Sequence, residues 1–291
     1  MGAMCSRSSV ATAPPVFVVQ EAGFSIPVRT ERKMGWKKDL PDFRDRMFAL
    51  PIEKKLDFPC KVDLRPAEHF GIYDQGELGS CTANALGAAF HFDQVKEGKI
   101  DFVPSRLFIY YNERSMEGSV DQDAGASIRD GIKSLHRIGV CSETQWEYDV
   151  SQFTVRPTED CYTAAATNRA LEYARVPQTI EDIKSVLKEG FPFVLGFTVL
   201  SSFFTETVSS TGYMPMPQPE DQILGGHAVM AIGYDDEKQV VIVRNSWGEG
   251  WGDAGYFYMP YDYICNPHLV SDMWAIKSVD GKDFPTATKK I

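Results

Sequence analysis

One cysteine of this chain sits where sulfur chemistry is favoured. In "YDQGELGSCTANALGAAF" Cys81 follows Gly79 and Ser80. It opens a run in which Ala85, Leu86, Ala89, Phe90 and Val95 recur near the helical period until Gly98 closes it. A thiol attacks a carbonyl as its thiolate, and a helix N-terminus stabilises that form through exposed N–H groups and the positive dipole end. A neighbouring imidazolium would do the same. Four of the five histidines, His69, His91, His136 and His268, lie on turns or helices where a solvated ring suffices. His227 differs: in "ILGGHAVMAIGYD" it follows two glycines and begins an apolar strand, where a polar ring needs a partner. "VIVRNSWGEGWGDAGYFYM" offers one. Asn245 leaves an apolar strand and can accept the ring N–H, and the indole of Trp247 can keep water from that bond. A nucleophile, a base and an orienting amide together point to acyl transfer at a carbonyl.

Those three residues need two kinds of scaffold. Residues 61–175 read as mainly helical and carry the nucleophile, with "SRLFIYYNERSME" and "GASIRDGIKSLHRIG" as further helices, the second closed by a basic last turn and Gly139. Residues 176–291 begin with the helix "IEDIKSVLKEG". They continue as the β-branched and aromatic runs "FPFVLGFTVL", "GGHAVMAIGYD", "QVVIVRNSW", "GYFYMP" and "MWAIKSV". A helical half followed by a β half is an α+β architecture of two packed lobes. Residues 1–60 are Pro-punctuated and too poor in core residues for a domain of their own. They hold Phe17, Phe24, Trp36, Phe43 and Phe48, too many aromatics for a disordered tail, so the segment is expected to lie against the lobes.

Composition excludes several functions. A net charge of −10 argues against nucleic acid as partner. The six cysteines form no CxxC pair and the histidines no HExxH spacing, so neither a metal nor another cofactor is expected. No apolar run reaches the length of a membrane span, and the N-terminus shows no intact signal peptide.

With Gln75 and Cys81 in "QGELGSC", His227 in "GHAV" and Asn245 in "NSWGEGWG", in that order, the chain resembles the papain-like cysteine peptidases. His227 falls in the window of roughly 130–150 residues beyond the nucleophile that this family shows. The resemblance covers about residues 61–277. It implies a two-lobed fold, one lobe helical and one an antiparallel barrel-like sheet, with the active-site cleft between them. It also implies a thiol endopeptidase working through a thioester acyl-enzyme. Cys81 would be nucleophile, His227 its ion-pair partner and later acid, Asn245 the orienter of His227, and the Gln75 amide an oxyanion donor with the Cys81 N–H. Gly125 in "QDAGAS" looks like the residue whose backbone pairs with the peptide, Ala126 and Gly225 like walls of a roomy side-chain pocket, and Trp247 like the cover of the His–Asn bond. Peptides or proteins would be the substrates and the enzyme a monomer, and the family leans toward an extracytoplasmic setting.

Where many relatives carry Cys and Trp, this chain has Leu78 and Thr82, a departure that fits divergent bacterial or viral members. Cys141 and Cys161 either pair across "SETQWEYDVSQFTVRPTED" or remain free thiols. Residues 1–60 are expected to act as a short inhibitory prosegment, with "GWKKDLPDFRDRMF" along the lobes and "AGFSIPV" or its neighbours near the cleft. Two other readings stay open: transfer to an amine by a transpeptidase or aminopeptidase, and a non-catalytic peptide-binding regulator.

Overall fold

The computed structural model describes residues 32–51, 57–67, 70–100 and 102–282; "AGFSIPV" lies outside them. The named elements run β1 (Trp36–Lys37), β2 (Lys61–Asp63), α1 (Cys81–Lys96), α2 (Arg106–Glu117), β3 (Ala126–Ser127), α3 (Ile128–Arg137), α4 (Glu159–Ala165), β4 (Ala170–Arg175), α5 (Ile180–Lys188), β5 (Phe193–Leu200), α6 (Glu206–Thr211), β6 (Ile223–Asp235), β7 (Val240–Arg244), β8 (Tyr256–Pro260), α7 (Tyr261–Ile264) and β9 (Val270–Val279).

The helices start and stop where local chemistry dictates. Ser105 caps α2 by accepting from the Phe108 N–H, and Gly118 ends it in the left-handed conformation. Ser127 caps α3 through the Asp130 N–H, and Thr179 caps α5 through the Asp182 N–H. Nearly all of α1 is buried on every side, which is why its apolar stripe is broad and poor in charge.

The main sheet is antiparallel in the order β4-β9-β5-β6-β7-β8, with β2 paired to β6. Side chains alternate across it. Val194, Met230, Ile232, Ile242, Trp274 and Ile276 face the core shared with α1, α2 and α3. Leu195, Phe197, Val199, Val229, Ala231, Val241 and Val243 face a second core with α5 and α7. The helical lobe therefore rests on one face of the sheet, and the N-terminus of α1 meets the start of β6 at the seam.

Two strands lie earlier in the chain than the sequence suggests. β2 and β4 both precede residue 176 yet belong to the sheet. "ALEYAR" is made of residues with good helix propensity, but pairing with β9 along the sheet edge overrides it, with register irregularities on either side of Glu172. Among the described residues no helix is long and apolar enough to cross a membrane.

Candidate active site

Cys81 is the first residue of α1, and its side chain is fully buried. His227 sits in β6 opposite Phe197 of β5, also fully buried. Asn245 follows directly after β7. Its Oδ1 lies 2.8 Å from His227 Nε2 and accepts from the Ser246 N–H at 2.9 Å. An amide oxygen only accepts, so Nε2 carries the hydrogen and Nδ1 keeps the lone pair. Nδ1 has no hydrogen-bond partner among the described residues. Trp247 stacks on the imidazole, centroids 4.8 Å apart and planes at 26°, and walls that bond from solvent.

Gln75 is oriented by a contact the sequence did not announce. The Ser246 hydroxyl donates to its Oε1 at 2.7 Å, which turns Nε2 toward the cleft. Thr82, where relatives carry Trp, donates at 2.7 Å to the buried carboxyl of Glu113 on α2. Burial holds the Glu113 pKa well above the usual carboxylate range, and Glu113 is one of the groups that raise the Cys81 thiol. No sequence motif marks Glu113. Cys141 and Cys161 are free thiols, and Cys161 accepts from the Thr158 hydroxyl at 3.2 Å.

The cleft is occupied by the chain's own residues 32–37. The Gln75 amide donates to the Lys33 carbonyl at 3.0 Å, and the Gly35 N–H points at Cys81 Sγ at 3.4 Å. Ala126 N–H donates to the Gly35 carbonyl at 2.8 Å, and β1 pairs parallel with β3, Trp36 opposite Ala126. The pinch is tight. A β-carbon on Gly35 would fall 1.8 Å from the Gly79 carbonyl oxygen, and one on Gly125 would fall 2.0 Å from the Gly35 oxygen. Gly125 also sits at φ 67, a conformation that favours glycine. A β-carbon on Gly225, expected as a pocket wall, would lie 3.2 Å from the Met34 side chain, closer than ordinary contact.

This cover explains the titration of the pair. Burial pushes the Cys81 thiol up to about 11, against the backbone amides of Ala228, Gly35 and Thr82, which favour the charged form. Burial pulls His227 down to about 4, against the Asn245 hydrogen bond. With the cleft covered, burial favours thiol and neutral imidazole over the ion pair expected from the sequence. The devices that favour the thiolate are in place, but desolvation outweighs them. Among the described residues no group of three or more His, Cys, Asp or Glu is placed to hold a metal ion.

Residues 58–271 match the family model of the papain family cysteine proteases. The chain belongs to the papain family of cysteine proteases. It is a hydrolase with the two-lobed papain fold. An uncharacterized peptidase C1-like protein of Acanthamoeba polyphaga mimivirus is 41% identical over 272 residues, 85% of this chain and 88% of the relative. The crystal structure of xylellain, a cysteine protease from Xylella fastidiosa, is 43% identical with a TM-score of 0.80, covering 86% of this chain and 97% of xylellain. Digestive cysteine proteinase 1 of Homarus americanus is 25% identical over 77% of this chain and 67% of the relative. Viral and bacterial relatives thus resemble this papain-family chain more than the animal enzyme does.

Proposed function

We propose that this protease is an endopeptidase, held closed by its own N-terminal segment, that cuts peptides through a thioester. Cys81 Sγ attacks the scissile carbonyl while His227 Nδ1 takes the thiol proton. The Gln75 amide and the Cys81 N–H receive the developing oxyanion. The C–N bond breaks as His227 returns the proton to the amine, and water then hydrolyses the C–S bond, with His227 as base. Asn245 holds the imidazole in the tautomer this needs, under Trp247. Gly125 and Ala126 give the peptide a backbone to pair with, and Gly225 leaves room for a side chain. The observation that carries the reading is a peptide already in the cleft, its Lys33 carbonyl on the Gln75 amide and its backbone on Ala126.

The same segment supports the inhibitory role. It offers the sulfur an amide hydrogen instead of a carbonyl carbon, so it binds without presenting a bond to attack. Gly35→Ala tests this reading, because the added β-carbon cannot pass Gly79. Full-length Gly35→Ala is expected to cleave a small peptide at least about tenfold faster than the parent and to take up one E-64 molecule on Cys81, read by mass. Unlabelled Cys81 in both proteins would defeat the peptidase assignment. Labelling at equal rates in both would defeat only the inhibition.

A further inference from the structure

The main sheet leaves part of one strand edge uncovered. β4 lies at the end of the sheet, with β9 and β5 between it and β6, the strand of His227. Residues 46–48 cover only the last residue of β4. There the Arg175 N–H donates to the Arg46 carbonyl at 2.7 Å, and the Arg175 carbonyl accepts from the Phe48 N–H at 2.8 Å. Alternate residues of an antiparallel strand turn their N–H and C=O to the same side, and no register irregularity falls between Tyr173 and Arg175. The backbone groups of Tyr173 therefore face outward too, and among the described residues neither has a partner outside the sheet. His136 Nδ1, 2.8 Å from the Ala170 carbonyl, marks where the open edge begins.

A cavity of about 650 Å³ adjoins this edge, between residues 42–47 and the end of α3. Its carboxylates are matched within the chain: Asp42 by Arg44 at 2.6 Å, Asp45 by Arg129 at 2.6 Å and Glu172 by Lys277 at 3.3 Å. Arg46, Lys133 and Arg137 line it as well and have no ion pair among the described residues. Burial raises the Tyr173 phenol, and Arg137 and Arg46 act against that rise, so two guanidiniums from different elements reach one ring. Three unmatched cations thus surround one hollow in a chain of net charge −10. Met47 and Leu171, both half-exposed, add apolar surface to it. A small anion would use the cations but neither the strand edge nor these apolar side chains. An extended peptide uses all three, because a strand sends alternate side chains to one face. The chain's longer stretches outside the described residues, 1–31, 52–56 and 283–291, carry no net negative charge. The segment that fits belongs to another protein.

We propose that the free edge of β4 is a docking site for an acidic, extended segment of a partner protein. The segment adds as a strand beside Tyr173 and sets its carboxylates against Arg46, Lys133 and Arg137. The site is separate from the cleft, and its occupation breaks no bond.

The test is fluorescence anisotropy of the full-length protein with a labelled peptide of alternating Glu and Val at physiological salt. Saturable binding is expected, at least about tenfold tighter than that of the Lys–Val counterpart. Arg46→Glu combined with Arg137→Glu should weaken it at least about tenfold, and Lys133→Glu alone about threefold, with melting curves confirming the fold of each variant. Of the two alternate sets of peptide amides, N-methylation of one should cost about tenfold and of the other little, as pairing along one edge requires. Absence of binding overturns the proposal and leaves the cations as guards of an exposed edge. Equal affinity for the acidic and basic peptides, or binding untouched by the charge reversals, also overturns it. Full competition by inorganic phosphate, with both N-methylated peptides bound alike, overturns the peptide assignment in favour of a small anion. Because the readout is binding, none of these outcomes depends on whether Cys81 cuts peptides.

Discussion

Residues 32–37 and residues 39–48 belong to one continuous stretch, yet they are held by opposite means. The first part occupies the cleft through exposed ion pairs, a few backbone bonds and the Trp36 ring lying on Gly196 and Gly226. Arg32 pairs with Asp74, Lys33 with Asp123 at 3.0 Å and Lys37 with Glu117 at 2.8 Å, and the Lys33 side chain is 60% exposed. Exposed pairs of this kind are worth roughly 0–1 kcal/mol. The second part is built into the body. The Asp39 carboxyl accepts from Trp274 Nε1 at 3.0 Å and from the Arg129 backbone N–H at 3.2 Å, while its own N–H donates to Asp272 at 2.7 Å. Arg129 and Arg175 both reach Asp45, at 2.6 and 3.1 Å, and Arg175 also binds Asp272 at 2.9 Å. Asp272 holds that place at φ 57, a left-handed backbone costing roughly 1 kcal/mol for a residue with a side chain. Phe48 then pairs its N–H with the Arg175 carbonyl at 2.8 Å and buries its ring edge-on to Phe191. The contrast teaches that an N-terminal extension need not be one structural unit: here a piece lying over the cleft is followed by a clasp on the body.

The sharpest break of this comparison is truncation. Removing residues 1–38 should leave a folded, open enzyme. Removing 1–51 takes Asp39, Asp45 and Phe48 from their partners and should abolish cooperative folding, read by thermal melting and by peptide turnover. Deleting all of residues 1–60, expected from sequence to act as one prosegment, is therefore expected to inactivate. Equal melting and activity for the two truncations would erase the distinction.

A smaller effect separates single side chains. Arg129→Ala takes the nearer of two arginines from Asp45, leaving Arg175 at 3.1 Å, and should cost about 1.5–3 kcal/mol, a fall in Tm of roughly 5 °C. Lys33→Ala should cost less than about 1 kcal/mol and instead speed labelling of Cys81. A Tm loss for Lys33→Ala matching that of Arg129→Ala would contradict the assignment.

The pH dependence runs in opposite directions in the two parts. Burial, with Asp272 beside it, raises Asp39 to about 6, against Trp274 and Arg129. A raised carboxyl contributes stability that is present below its unfolded pKa and lost as pH rises through about 6, a swing of roughly 3 kcal/mol at most. The clasp should thus tighten between pH 7 and pH 4. Burial acts to raise Asp74, but hydrogen bonds from Arg32 and the Gly76 N–H bring it below the usual carboxylate range, so its hold on the piece over the cleft is present at neutral pH and weakens in acid. Melting of Asp39→Asn, compared with the parent from pH 7 to pH 4, should lose the clasp's share of that gain. An unchanged pH profile would refute it.

The smallest expected signal is in the sulfur itself. Covered Cys81, at about 11, should react with iodoacetamide only in alkaline solution, whereas Gly35→Ala should extend reactivity toward neutral pH as water reaches the pair. Coincident pH–rate curves would show that the cover does not govern the thiol.

Much of the active site was legible because its parts carry local signatures. Cys81 announces a helix start, His227 a polar residue at the head of an apolar strand, and Asn245 the end of the next. The sequence also pointed to an aromatic-rich N-terminal stretch lying on the lobes: Trp36 and Phe48 do, Phe43 stands fully exposed instead, and Phe17 and Phe24 lie outside the described residues. What stayed hidden depends on distant partners. Ser246 orienting Gln75, Glu113 under Thr82, and Gly196 beneath Trp36 each join residues far apart in the chain, with no periodicity to betray them. β4 was hidden for a different reason, since its composition favours a helix and only its neighbour makes it a strand.

The amide hydrogen set against the nucleophile has one more implication. A lock whose bolt cannot be sawn from within must be opened by release or by another molecule. Under the proposed inhibition, activation of this enzyme comes either from release of the segment or from another molecule that cuts it.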